Sequence, residues 1–302
     1  MPEIIKDSFL RSNVGDIPVA SLLFVFFQLV YNLALEDLAT LNYPGSVTLA
    51  FVSAGFLAMV WLFAIVEQKT VLPQNYRPQV IRFLMIGIAA WFMTESYTYL
   101  HASSVSLIQR SEIPLIIIVA YLAGKRQADW QVKFAVWVIV AIIGFIIYSH
   151  RKSADAYGIG LAQMGVFCTI ITFQLMQKSV NSESEYPSTT VSGISCIFYG
   201  LLFSGIGGKW QLIKPEHLYI VAIAFVSLFA MYKCATVLYR TKSLEYARFP
   251  ALIGSVLTLF AEQIHEKEVF AIDYTIIILI ISAMVYWLLF RIKHSKEITE
   301  PC

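Results

Sequence analysis

The chain has 302 residues, of which 58% are hydrophobic and 14% charged, against about 25% charged in soluble domains. A water-soluble core could not hide that much apolar surface, so lipid must be the solvent for much of the chain. The net charge of +2, from dispersed basic residues, gives no basis for a nucleic-acid partner.

About 20 apolar residues carry a helix across the hydrocarbon. In chain order, residues 1–16 carry Glu3, Asp7 and Asp16 ahead of any apolar run, unlike a cleaved signal peptide. The first span, 17–35, is therefore expected to stay as an anchor. Nine more are predicted at 46–66, 79–99, 102–123, 133–149, 158–178, 187–207, 217–238, 244–264 and 271–291. Turn formers fill the short connections, as in Asn42-Tyr43-Pro44, Pro73-Gln74-Asn75 and Glu185-Tyr186-Pro187. No connection is long enough for a soluble domain. The expected fold is all-α and integral to the membrane, with ten transmembrane helices.

Lys and Arg at the span edges set the orientation. Lys6, Arg11, Lys69, Arg77, Arg82, Lys125, Arg126, Lys133, Lys178, Arg240, Lys242, Arg291, Lys293 and Lys296 fall on one face. The opposite face has only Arg151, Lys152, Lys209, Lys214 and Lys267. Both termini are expected in the cytoplasm, with the chain in a plasma, inner or organelle membrane.

A shift of 136 residues carries Pro114 onto Pro250 and lays the first five spans over the last five. Residues 1–152 and 153–302 then form two five-helix repeats. Five is odd, so the repeats enter the membrane in opposite senses, a transporter pattern with its site near the midplane.

Two segments carry a family resemblance. Tyr97 to Ile108 is followed by Pro114 and Gly124, and Ser243 to Arg248 by Phe249 and Pro250. With two five-helix halves, the chain resembles the EamA-like branch of the drug/metabolite transporter superfamily. In that family a short turn leads to a mid-helix proline and then a glycine–acid pair. Here the chain departs from that pattern, with Lys125-Arg126 after Gly124 in place of an acid, and Glu262 and Glu266 are candidate acids in the second half. The resemblance implies a secondary carrier and a homodimer contact through the fifth and tenth spans, which lack internal charge.

A charge at the bilayer centre costs roughly 2.5–3.5 kcal/mol on insertion scales. Glu95, Arg110, Glu112, Lys233, Glu245 and Arg248 all lie within predicted spans, three of each sign, and should face a polar cavity or one another. The 136-residue shift takes Glu112 onto Arg248, which suggests a bridge near the symmetry axis. Tyr31, Trp91, Tyr99 and Tyr232 offer stacking or cation–π contacts, and Gln174 a polar one. Pro114 and Pro250 each free a backbone carbonyl and would kink matched helices, as hinges or as static bends.

Charges of both signs suit a small charged or zwitterionic organic metabolite, amino-acid-like or nucleotide-like. The sequence lacks HExxH, G-x-S-x-G, P-loop and CxxC motifs. The cysteines lack metal-ligand spacing and the five histidines fall at span ends or in loops, so no metal or other cofactor is implied. The expected activity is alternating-access transport. An intramembrane enzyme acting on lipid and a channel remain alternative readings.

Overall fold

The computed structural model describes residues 16–73, 76–122, 129–149, 156–180, 185–208 and 210–241, and beyond these 250, 253–255, 257, 258, 260, 261 and 283. Among them the chain is all-helical. Nine α-helices follow in order: α1 Asp16–Thr40, α2 Gly45–Val66, α3 Tyr76–Ser96, α4 Ala102–Gln109, α5 Glu112–Leu122, α6 Asp129–Ser149, α7 Ala156–Val180, α8 Glu185–Ile206 and α9 Leu218–Thr241. A 3-10 turn, Pro215–His217, leads into α9. Four segments are long and apolar enough to cross a membrane: Val19–Thr40, Gly45–Val66, Tyr186–Ile206 and Pro215–Leu238. The tenth predicted span lies outside the described residues except for residue 283.

The predicted turns are built as helix stops. After α1, Asn42 takes a positive φ of 61°. The amide of Tyr43 then bonds the Leu38 carbonyl and that of Asn42 the Ala39 carbonyl, the paired bonds that satisfy orphan carbonyls at a helix end. Gln68, at φ 54°, does the same after α2, with Lys69 bonding Ala64 and Gln68 bonding Ile65.

The predicted fourth span, 102–123, is two helices and not one. Pro114 has no N–H to give the Arg110 carbonyl, and its ring crowds that carbonyl, so the ladder fails there. The chain responds with tight turns: the Arg110 amide bonds Leu107 and the Ser111 amide bonds Ile108. It restarts with Leu115 bonding Ser111, which leaves Pro114 in the first turn of α5, where a missing N–H is harmless.

Packing is set by small residues at the crossings. α3 and α8 run parallel and touch in sequence at Gln79–Ser188, Arg82–Ser192 and Phe83–Ser195. Further along, Gly87 lies against Tyr199, and Trp91 stacks on Phe203. α2 and α9 are likewise parallel, through Gly55–Phe225, Phe63–Phe229 and Glu67–Lys233. Gly200 brings α8 against Ala50 and Ser46 of α2, and Gly45 brings α2 against the backbone of Thr94 and Glu95. α1 also packs along α9, and α3 along α7. The largest buried cluster gathers Leu38, Val47, Val105, Ile108, Val138, Ile142 and Ile170 from five of these helices. The outer surface stays apolar, with Leu22, Ile65, Trp137, Ile206 and Leu212 exposed.

Candidate functional site

The polar residues between the helices fall into three groups. In the first, Arg82 on α3 is 1% exposed. Its Nε and Nη2 both donate to the Ser192 hydroxyl of α8, at 3.2 and 3.0 Å. One turn earlier Gln79 donates to Ser188 at 3.4 Å. Cys196, one turn beyond Ser192, lies close to Ser53 of α2, Arg82 and Tyr31 of α1. This arginine therefore bridges α3 and α8. It was expected at a cytoplasmic span edge; it lies in the second turn of α3 with its side chain buried between helices. A readable signal existed: Gln79 and Arg82 share a helical face, and Ser188, Ser192 and Ser195 form a matching polar seam.

The second group joins the two halves of the chain. Asn32 on α1 accepts from the Tyr97 hydroxyl at 3.0 Å and donates to Thr258 at 3.4 Å. The Ser106 hydroxyl donates to that of Ser255 at 2.7 Å, and Ser255 bonds the Ser106 carbonyl. Beside it lies the α4–α5 break. Arg110 and Glu112 flank it, both buried, with Nη1 and Oε1 3.9 Å apart. Each suits the helix end it occupies, a cation at the C-terminus of α4 and an anion at the N-terminus of α5. Ser111 in the break donates to Gln163 of α7 at 3.1 Å. Glu36, which sequence reasoning passed over, accepts from the Ala102 amide at 3.2 Å and so caps α4.

The third group lies at a helix end. Lys233 of α9 sits 3.4 Å from Glu67, donates to the Tyr186 hydroxyl and lies 4.3 Å from the Tyr186 ring centroid. It was expected to line the cavity. Its side chain is 25% exposed and that of Glu67 43%, so this cluster joins the ends of α2 and α8 to α9 near the surface. At the other end of α2 the Tyr43 hydroxyl lies 2.8 Å from His217 Nδ1 and accepts from the Lys214 amide at 3.1 Å.

The remaining candidates divide. Glu95 is buried beside Gly45. Trp91 stacks on Phe203, with centroids 3.8 Å apart, and Tyr99 sits edge-on to Tyr157; both are packed. Tyr232 rests against Phe56 with its hydroxyl buried and unpartnered. Pro250, like Pro114, is helical and buried. Gln174 lies on α7, but its side chain is outside the described set, as is Arg248 and with it the expected Glu112–Arg248 bridge. Among the described residues no cluster of His, Cys, Asp or Glu could hold a metal.

No family model and no curated protein matches the chain. A solved structure described only as "Crystal structure of protein" superimposes with a TM-score of 0.60 over 89% of this chain and 99% of its own, at 14% identity. That likeness is one of fold.

Proposed function

We propose that the chain is a secondary transporter of the drug/metabolite type, with ten membrane spans in two inverted repeats, 1–152 and 153–302. It carries a small charged or zwitterionic organic metabolite by alternating access and works as a carrier, not as an enzyme.

The observation that carries this reading is the way helix contacts exchange under the 136-residue shift. The shift turns α1 into α7, α2 into α8 and α3 into α9. The α1–α9 contact then becomes α7–α3, and both occur. The α2–α9 contact becomes α8–α3, and both occur; α2–α8 maps onto itself. The Asn32–Thr258 bond becomes a contact between α7 and the end of α5, and those helices also touch. Evenly spaced hydrophobic spans would match in sequence by chance, but chance gives no reason for their packing partners to exchange as well.

A carrier needs a polar path at the repeat interface that opens to one side at a time. The polar groups at Arg82, Asn32 and Ser106 each join helices of opposite halves. The Lys233 and Tyr43 clusters join opposite halves at opposite ends of α2. They are placed to close the path alternately. The outward apolar face of α6, with Val136, Trp137 and Val140 exposed, meets lipid or a second copy.

Proteoliposomes holding the full chain test this against pools of labelled metabolites. Saturable uptake stimulated by unlabelled compound inside is the expected result. Unsaturable conductance would make the protein a channel, and turnover of added lipid would make it an enzyme.

A further inference from the structure

Arg82 is the largest fully buried side chain among the described residues. Arginine cannot shed its proton at any accessible pH, so the site holds a full positive charge away from water. Two of its nitrogens share one serine hydroxyl, and Nη1, also buried, has no partner. Among the described residues no carboxylate pairs with it. Two other cations within the helices have acidic partners, Arg110 with Glu112 and Lys233 with Glu67. Gln79, on the same face, has a buried Oε1 without a partner. An uncompensated buried charge is strongly destabilising. A chain retains one where a partner of opposite sign arrives from outside.

Building on the transport reading, we infer that Arg82 anchors an anionic group of the substrate, and that this group is a single carboxylate. The free edge of the guanidinium matches a planar carboxylate. One charge answers one charge. A phosphate dianion would call for a second cation, and the described residues around Arg82 supply hydroxyls, a thiol and an amide but no such cation. This narrows the substrate to carboxylic and amino acids and sets nucleotides aside. Tyr31, Ser53 and Gln79 are the polar groups placed to meet the rest of the molecule.

The test uses the purified full chain in detergent. Its thermal unfolding midpoint is read against acetate, benzoate, L-leucine and L-glutamate, their matched amides, inorganic phosphate and AMP. At least one carboxylate should raise the midpoint while its amide does not. Arg82→Gln should weaken that carboxylate at least tenfold, and Arg82→Lys less. Arg82→Gln should also raise the ligand-free midpoint, because an unmet buried charge has been removed; a purely structural arginine would give the opposite sign. The inference is overturned if no carboxylate acts on the native protein, if only phosphate compounds do, or if Arg82→Gln keeps the full carboxylate effect. Uptake of the same compounds separates this from the transport reading. A carboxylate that binds through Arg82 but is never carried removes the carrier and leaves the site. Saturable uptake of neutral or cationic compounds that ignores Arg82→Gln does the reverse.

Discussion

Arg110 and Glu112 show why a charge inside a predicted span need not line a path. Pro114 breaks the helix, and the break exposes a partial negative end on α4 and a partial positive end on α5. The two charges stand at those ends, opposite in sign to each, and 3.9 Å from one another. Removing one member of a buried pair costs about 3–5 kcal/mol, whereas removing both with uncharged residues of like shape costs far less. Glu112→Gln should therefore lower the unfolding midpoint of the detergent-solubilised protein sharply, and adding Arg110→Gln should recover most of the loss. A double variant as unstable as the sum of the singles would remove this account of the break. Composition and spacing identified both residues as too costly to leave in lipid. They could not say that the helix stops between them, since the same run of apolar residues is compatible with a kinked continuous span. The burial of Arg82 was not legible for a related reason. Its distance along the sequence from a span edge says nothing about Ser192, which α8 brings to it, and only the packing shows that it is buried.

At the scale of elements, the packing rests on small residues at particular crossings. With lipid on the outside there is little hydrophobic gain in pairing two helices, so close backbone approach and hydrogen bonds carry the association. A Cβ at Gly200 would lie 2.8 Å from Ala50 N and from Ser46 O, and one at Gly45 would lie 2.6 Å from Glu95 Cα. Those neighbours are backbone and cannot swing aside. Gly200→Ala should destabilise the protein by about 1–3 kcal/mol through overpacking of α2 against α8. Gly160, in α7, has nothing within 4 Å of its missing Cβ, so Gly160→Ala should be neutral or stabilise by up to about 1 kcal/mol through helix propensity. Unfolding midpoints of the two variants, measured side by side, check this. Equal effects would mean that the α2–α8 crossing adapts. Hydropathy placed most of these helices to within a few residues because a long apolar run with turn formers at its ends has few other readings. Which glycines are contacts and which are idle is a tertiary property, and the 15 glycines look alike until the partner helices are in place.

For the molecule as a whole, the two end clusters make the carrier reading testable. At one end of α2, Lys233 ties α9 to Glu67 and Tyr186. At the other, Tyr43 ties α2 to Lys214 and His217 ahead of α9. The Lys233–Glu67 pair is partly exposed and contributes little stability, roughly 0–1 kcal/mol, as a contact that must break in every cycle would require. Weakening either end should shift the population toward the conformation open on that side. Cys196 is a native reporter, half-buried between α2 and α8 beside Arg82. With Cys168, Cys234 and Cys302 changed to serine, Lys233→Ala should speed labelling of Cys196 by a membrane-impermeant maleimide added from one side. Tyr43→Phe should speed it from the other. Right-side-out and inverted vesicles distinguish the sides. A lone gate, as in a channel, would give faster labelling from the same side in both variants, and a rigid bundle would give no change in either.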